Sequence, residues 1–475
     1  MTTTGKFVIL RSLNPMKFLL LLLLASLPLS AAETSAQLWL TKSDRSALFA
    51  LQPDKLIFTT NTSLESVITV DDKQTFQTMD GFGFALTGGS AMHIIRMEPA
   101  KRAALLQELF GTGDGDIGIS YLRVSIGASD LNSFVYTYDD VEPSQSDPEL
   151  KRFSLGPDQG DVIPVLKQIM AINPQIKILG SPWTAPNWMK TNGKVKSGRL
   201  KPECYDVYAR YFVKYLQGMQ QEGIHIDAIT IQNEPFNDGN TPSMQMSAAE
   251  EARFIKENLG PALAAQHLDT KIILWDHNCD VPEYPISILR DPEAARYVDG
   301  SGFHLYAGKI EAMSQVHDAF PGKNLYFTEQ MTIERGHHPG IDIAGPVSRL
   351  IVGAPRNWSR NVLLWNLAAD PNNEPHTRDG GCGICQGAIT IDGNKVTRNL
   401  AYYVVAHASK FVRPGSVRVA SNLPDSLPNV AFKTPAGMVL IVANHSPQRQ
   451  TFAVRFHDQA FAAVLDGGSV GTYVW

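Results

Sequence analysis

Ala228-Ile229-Thr230-Ile231-Gln232-Asn233-Glu234-Pro235 reads as a buried strand ending on a carboxylate and a proline. Asn324-Leu325-Tyr326-Phe327-Thr328-Glu329-Gln330 has the same form, apolar until a glutamate appears at its tip. Six more segments resemble them: Asp80–Thr87, Gly118–Gly127, Lys177–Trp183, Lys271–His277, Ser301–Tyr306 and Asn361–Leu367. Most are continuous apolar runs, as parallel strands buried on both faces require. Amphipathic stretches lie between them. Tyr208, Tyr211, Phe212, Tyr215, Leu216 and Met219 recur at helical spacing, as do Leu400, Tyr403, Val404, His407 and Phe411. Ser247-Ala248-Ala249-Glu250 has a capping-box pattern. Eight alternations predict an α/β fold, a (β/α)8 TIM barrel. A doubly wound open sheet is the alternative, weakened by the lack of a glycine-rich phosphate loop after an early strand.

Outward from the barrel, short β patches occupy residues 38–79, such as Ser66–Val70. Others follow Pro414: Val417–Val419, Val430–Phe432, Met438–Ala443, Thr451–Phe456 and Thr472–Trp475. Phe452, Val454 and Phe456 alternate with Ala453 and Arg455, as on a half-buried strand. The tail is short for a sandwich of its own. The expected organisation is therefore a flanking antiparallel β-sandwich domain built from both chain ends, residues 33–79 and 413–475, around a barrel at 80–412.

Residues 1–32 read as a signal peptide. Lys17 precedes the run Leu19–Leu24, and Ser30 and Ala32 are small residues for cleavage. The run is too short for a stable membrane span, so the expectation is an exported protein, periplasmic or secreted. Export permits disulfides. Cys382-Gly383-Ile384-Cys385 lacks the second pair that a zinc ribbon needs, and it reads as a local loop disulfide. Cys204 and Cys279 read as structural thiols. The chain has 475 residues, 44% hydrophobic and 19% charged, with net charge −5. That is the composition of a globular protein with a large core. No basic stripe points to nucleic acid.

The C-terminal edge of such a barrel is where chemistry is built. The residues reaching it are Arg123 and Asp130, Trp183 and Trp188, Asn233 and Glu234, Asp276 and His277, His304 and Tyr306, Glu329, and Trp365 with Asn366. Aromatic rings stack on pyranose faces, while amides and carboxylates bind hydroxyls. Two facing carboxylates are the minimum apparatus for breaking a glycosidic bond. The histidines after strands five and six read as too few and too separated to call for a metal, and no cofactor is implied. Arg123 reads either as the partner that keeps Glu329 ionised or as a structural ion pair. His304 reads as a carboxylate-orienting residue or a core histidine, and Tyr306 as a hydrogen-bond donor to Glu329. Asp276 and His277 stay ambiguous. His337-His338 reads as a solvated loop.

Asp80-Gly81-Phe82-Gly83, the stretch Ser181-Pro182-Trp183-Thr184-Ala185-Pro186-Asn187-Trp188-Met189-Lys190-Thr191-Asn192-Gly193, and Gln232-Asn233-Glu234-Pro235 resemble glycoside hydrolase family 30. So do Phe303-His304-Leu305-Tyr306, Phe327-Thr328-Glu329 and Leu364-Trp365-Asn366-Leu367-Ala368. Within the family the resemblance points to acid glucosylceramidases and endo-β-1,6-glucanases. It implies a retaining β-glycosidase with Glu234 as acid/base and Glu329 as nucleophile. It implies that Asp130, Trp183 and Trp365 line a glucose subsite, that Asn233, His304 and Tyr306 surround the catalytic pair, and that Arg123 lies near it. The segment Asp370 to Gly387, with its two cysteines, departs from the glucosylceramidase pattern. The expected activity is glucosylceramidase-like cleavage of a β-glucoside. The alternative is endo-β-1,6-glucanase action on polysaccharide, ahead of a xylanase or a non-catalytic carbohydrate-binding barrel. The expected partner is a glycolipid or a β-glucan, with no membrane span once the signal is removed.

Overall fold

The computed structural model describes residues 34–60, 63–334 and 339–475. The leader read at 1–32 and the pair His337-His338 lie outside the described residues. Eight parallel strands close into a barrel: β1 (Gly81–Ala85), β2 (Tyr121–Ser125), β3 (Lys177–Ser181), β4 (Ala228–Thr230), β5 (Lys271–Cys279), β6 (Val298–Gly308), β7 (Asn324–Glu329) and β8 (Ser359–Asn366). β8 pairs with β1 to complete the ring. The helix Tyr205–Gln221 buries the tyrosine face that its spacing predicts. Ser247 and Glu250 form the expected capping box. Among the described residues no helix is long and apolar enough to cross a membrane.

The flanking domain is a ten-stranded sheet wrapped around its own apolar core, which includes Leu38, Ile68, Val419, Leu440, Phe452 and Phe461. Ser35–Thr41 and Val67–Thr78 from the N-terminal side pair with strands from the C-terminal side. All pairings are antiparallel except one, in which Val67–Thr78 runs parallel to Gln450–Phe456. Gln459–Leu465 is a strand that the sequence reading did not anticipate. It covers the edge of Gln450–Phe456, and Ala453 is buried rather than solvent-facing. His407, on the barrel helix Leu400–Ser409, ties the two domains. Its ring nitrogens lie 2.8 Å from Thr472 Oγ1 and 2.8 Å from Thr41 Oγ1.

Inside the barrel, Tyr121, Leu179, Ala228, Ile273, Tyr326 and Leu363 form a buried, mostly apolar plug. Strand side chains alternate with period two, so residues two positions further on also face inward. Those are Arg123, Ser181, Thr230, Thr328 and Trp365, a polar and aromatic layer above the plug. The plug lies beneath this layer, and the buried charges of Arg123 and Asp276 are built above it.

Candidate active site

Period two fails on two strands, and both failures shape the site. Counting from Ile273 places Trp275 inside, but Trp275 and Asp276 both have positive φ, 72° and 53°. The β5–β6 register shifts there, pairing Gly302 with Trp275 and Phe303 with His277. The irregularity turns Asp276 inward instead. The β6–β7 register also slips, so that Phe303 faces Phe327 and His304 faces Glu329. That shift brings Glu329 inside although Thr328 already points inward. Irregularities of this kind commonly re-aim side chains at active sites.

Asp276 is the hub, a role the sequence left ambiguous. Its Oδ2 accepts from Arg123 Nη2 (2.7 Å), Ser181 Oγ (3.0 Å) and Thr230 Oγ1 (2.7 Å). Its Oδ1 accepts from Thr328 Oγ1 (2.6 Å) and lies 3.1 Å from His304 Nε2. Burial would raise its pKa, but the Arg123 cation, His304 and Thr328 hold it well below the usual carboxylate range. Arg123 distributes its other donors outward. Nη1 donates to Glu329 Oε2 (2.6 Å), Nη2 also reaches Asn233 Oδ1 (2.7 Å), and Nε reaches Ser181 Oγ (3.1 Å). Asn233 gives its oxygen to Arg123, and its NH2, which has no protein acceptor among the described residues, is left for a ligand.

The two glutamates are wired differently. Glu329 Oε2 takes the Arg123 guanidinium, and Oε1 accepts from the Tyr306 hydroxyl (2.9 Å). Tyr306 is pushed well above its ordinary value by burial of the hydroxyl and by Glu329, so it acts as a neutral donor. Glu234 stands beyond the end of β4, not at its tip as expected. β4 stops at Thr230, and Glu234 is held with φ +45° by its N–H on Asp276 O (3.0 Å). Glu234 Oε1 lies 3.0 Å from His304 Nδ1, and Oε2 accepts from Asn237 Nδ2 (2.6 Å). His304 Nδ1 is also 3.8 Å from Glu329 Oε1, so one imidazole nitrogen lies close to both carboxylates.

Burial and the carboxylates Glu234 and Asp276 raise Glu329, against His304 and Arg123. Burial opposes the charged form of His304 too, but Glu329, Asp276 and Glu234 outweigh it and lift the imidazole to about 9. Glu234 is lowered, because His277 and His304 outweigh its burial. Glu234, His277 and His304 bring three ligand-type atoms within 4.8 Å of one another, closer than the sequence suggested, and could in principle hold a cation. His304 has both ring nitrogens engaged by Glu234 and Asp276.

These residues open onto a cavity of about 400 Å³ lined by Asp130, Trp183, Asn233, Glu234, Tyr306, Glu329 and Trp365. Arg123 and His304 lie beneath it, fully buried. Trp183 and Trp365 stack at 5.4 Å, and the buried Trp183 Nε1–H has no protein acceptor among the described residues. It is a donor left for a ligand in the wall. Trp188 is tied to Asp139 (3.0 Å) and does not line the cavity. Asn366 bonds Thr87, Ser90 and Cys385 and is structural. A larger cavity, about 1080 Å³, lies beyond Tyr306 and Met331. Its lining carboxylates among the described residues are Asp44, Glu334 and Asp342, with Glu334 ion-paired to Arg45, whereas the two glutamates at the barrel mouth line the smaller one.

Cys382 and Cys385 are disulfide-bonded, while Cys204 and Cys279 are free and buried. The disulfide loop forms part of the cavity wall. Cys382 N–H donates to Asp130 Oδ2 (3.2 Å), and Thr377 N–H donates to Asp130 O (2.8 Å). Gly380, with φ +88°, lies so close to Gly239 that a Cβ would stand 2.0 Å from its carbonyl oxygen. Burial and Glu329 push Asp130 up to about 7, against the Cys382 N–H. Opening the loop removes one hydrogen bond to a charged group, a contribution of about 1.5–3 kcal/mol. Reduction, or the C382S/C385S double variant, should therefore lower kcat/KM by roughly tenfold or more. Unchanged kinetics after full reduction, verified by thiol titration, would rule out this coupling.

A parallel barrel whose mouth holds two buried glutamates in one cavity with a pair of stacked tryptophans has the apparatus of a glycoside hydrolase. The family model described as the glycosyl hydrolase family 30 TIM-barrel domain matches residues 79–412, and that of the family 30 beta sandwich domain matches residues 415–473. The chain belongs to glycosyl hydrolase family 30. Endo-1,6-beta-D-glucanase neg1 of Aspergillus fumigatus is 37% identical over 74% of this chain and 74% of its own. The lysosomal acid glucosylceramidase of Mus musculus is 30% identical over 86% of this chain and 83% of its own. A solved structure, the endo-beta1,6-glucanase BT3312, superposes with TM-score 0.85 and 34% identity, over 93% of this chain and 99% of that one.

Proposed function

We propose that this protein is an exported endo-β-1,6-glucanase that hydrolyses its substrate with retention. The observation that carries the chemistry is the opposite wiring of the two glutamates. Glu329 is fed by donors that keep their protons near neutral pH, Arg123 and Tyr306. Glu234 faces His304, which can pass one on. Glu329 attacks the anomeric carbon as the bond to the leaving oxygen breaks. Glu234, a carboxylate at rest, draws a proton from His304 through the 3.0 Å contact and gives it to that oxygen, so that it ends the step as a carboxylate again and His304 as a neutral imidazole. The result is a glycosyl ester on Glu329. Consuming the Glu329 charge lowers the proton affinity of Glu234, which then takes a proton from water as the water displaces the ester. Asn233, Asp130 and the Trp183 N–H bind sugar hydroxyls.

For the substrate, the endo-1,6-beta-glucanase relatives support the polysaccharide reading over the glucosylceramidase-like one that the sequence favoured, at 37% against 30% identity. The leader-like N-terminus and the disulfide support export. The test is product analysis on linear β-1,6-glucan and on glucosylceramide in detergent. Short oligosaccharides from the glucan, with the lipid untouched, are expected. Ceramide and glucose from the lipid, with the glucan untouched, would move the assignment to a glycolipid hydrolase.

A further inference from the structure

Eight large hydrophobic side chains among the described residues are exposed, and two of them, Phe236 and Tyr306, line the catalytic cavity. The exposure of Tyr306 has a cause, since its hydroxyl is fixed on Glu329. Phe236 has no such duty. It is 49% exposed, two residues beyond Glu234 across Pro235. Its ring stands nearly perpendicular to Trp275 (5.4 Å, 79°), Tyr284 (5.4 Å, 78°) and His277 (6.5 Å, 80°). Three rings therefore hold one phenyl group rigid while half of it stays open at the cavity. A half-open, immobilised aromatic ring costs little further entropy when a ligand stacks on it.

Its neighbours say what kind of ligand. Asn278 gives its carboxamide oxygen to the backbone N–H groups of Tyr306 (2.9 Å) and Ala307 (3.3 Å). The Asn278 NH2 group has no protein acceptor among the described residues. Asn237 and Asn240 line the same wall. One apolar ring bordered by amide groups matches a pyranose, which has an apolar face and a hydroxyl rim. An alkyl chain would leave the Asn278 NH2 unpaired.

We propose that Phe236 is the platform of a leaving-group subsite that holds a second glucosyl unit, with the Asn278 NH2 on one of its hydroxyls. The proposal rests on the reading of Glu234 as the proton donor, which places the leaving group on its side of the cavity. A 1,6-link puts an extra rotatable bond between the rings, so a leaving sugar is ordered only if something outside the cleaved sugar's pocket holds it.

The experiment compares F236A and F236W with wild type on two substrates that share one cleaved unit. One is a β-1,6-linked gluco-oligosaccharide, and the other is the matching β-glycosyl fluoride, whose leaving group is too small to reach Phe236. F236A should lose about 10- to 100-fold in kcat/KM on the oligosaccharide and stay within about twofold on the fluoride. F236W should keep most of the oligosaccharide activity. In the fluoride reaction with added gentiobiose, F236A should form less transfer product, because the acceptor uses the same subsite. Equal loss on both substrates, or none on the oligosaccharide, overturns the platform while leaving the glucanase reading intact. Wild-type silence on the oligosaccharide overturns the glucosyl assignment together with that reading.

Discussion

Glu329→Gly is expected to lower turnover of an aryl β-glucoside by about four orders of magnitude or more, because it removes the group proposed to attack the anomeric carbon. Added azide should return part of the rate. The glycine opens a space beside Arg123 Nη1 and the Tyr306 hydroxyl, the two donors that held the carboxylate. A small anion placed there restores the charge that Arg123 and His304 face, and it stands where the nucleophile stood. The product should be the α-glucosyl azide, inverted because one displacement replaces two. Glu329→Gln keeps the volume and leaves no opening, so it should be as slow as the glycine variant and unresponsive to azide. Removing one partner of a buried ion pair destabilises a protein by about 3–5 kcal/mol, so circular dichroism must first show that both variants are folded. A folded glycine variant with no azide response, or one that forms β-azide, would take the nucleophile role away from Glu329.

The parts of this site that could be read from sequence are those that obey strand periodicity or end a strand. Arg123, Thr230, Thr328 and Trp365 follow from counting by two above the apolar plug. Asp276 does not, because counting from Ile273 puts Trp275 inside. Two consecutive left-handed residues reverse the pair, and no local residue pattern announces that reversal. The convergence of His277 and His304 on Glu234 depends on the same irregularity. Trp188 shows the opposite error. It is near Trp183 in sequence, but the chain leaves the barrel mouth before reaching it, and Asp139 holds it away from the cavity. The eight barrel strands were legible because burial on both faces demands unbroken apolar runs. Gln459–Leu465 was not, since three of its seven residues are alanine, a poor strand former. Phe236 reads in sequence like any core phenylalanine, and only its exposure beside Glu234 marks it out.

Glu234→Ala separates the two halves of the reaction, and the separation is the test of its role. General acid assistance contributes typically 10²–10⁴-fold, and only where the leaving group needs a proton. With a sugar leaving group, kcat/KM should fall by about 10³-fold. With dinitrophenolate it should barely change, since that anion departs unaided. Hydrolysis of the Glu329 ester still needs a base, so the activated substrate should show a rapid burst followed by slow turnover. Azide should speed that second step and give the β-azide, the retained product, which sets this variant apart from Glu329→Gly. The pH dependence carries the sign of the His304 contact. His304 is raised to about 9, so the His304–Glu234 pair holds its transferable proton below that pH and loses it above. Wild-type kcat/KM on the sugar leaving group should therefore decline as pH rises through about 9, while that on the dinitrophenyl substrate should not. In the alanine variant the decline on the sugar leaving group should vanish, because His304 then has no Glu234 through which to act. An equal loss on both leaving groups would show that Glu234 shapes the site without donating the proton, and the acid role would have to pass to His304 itself.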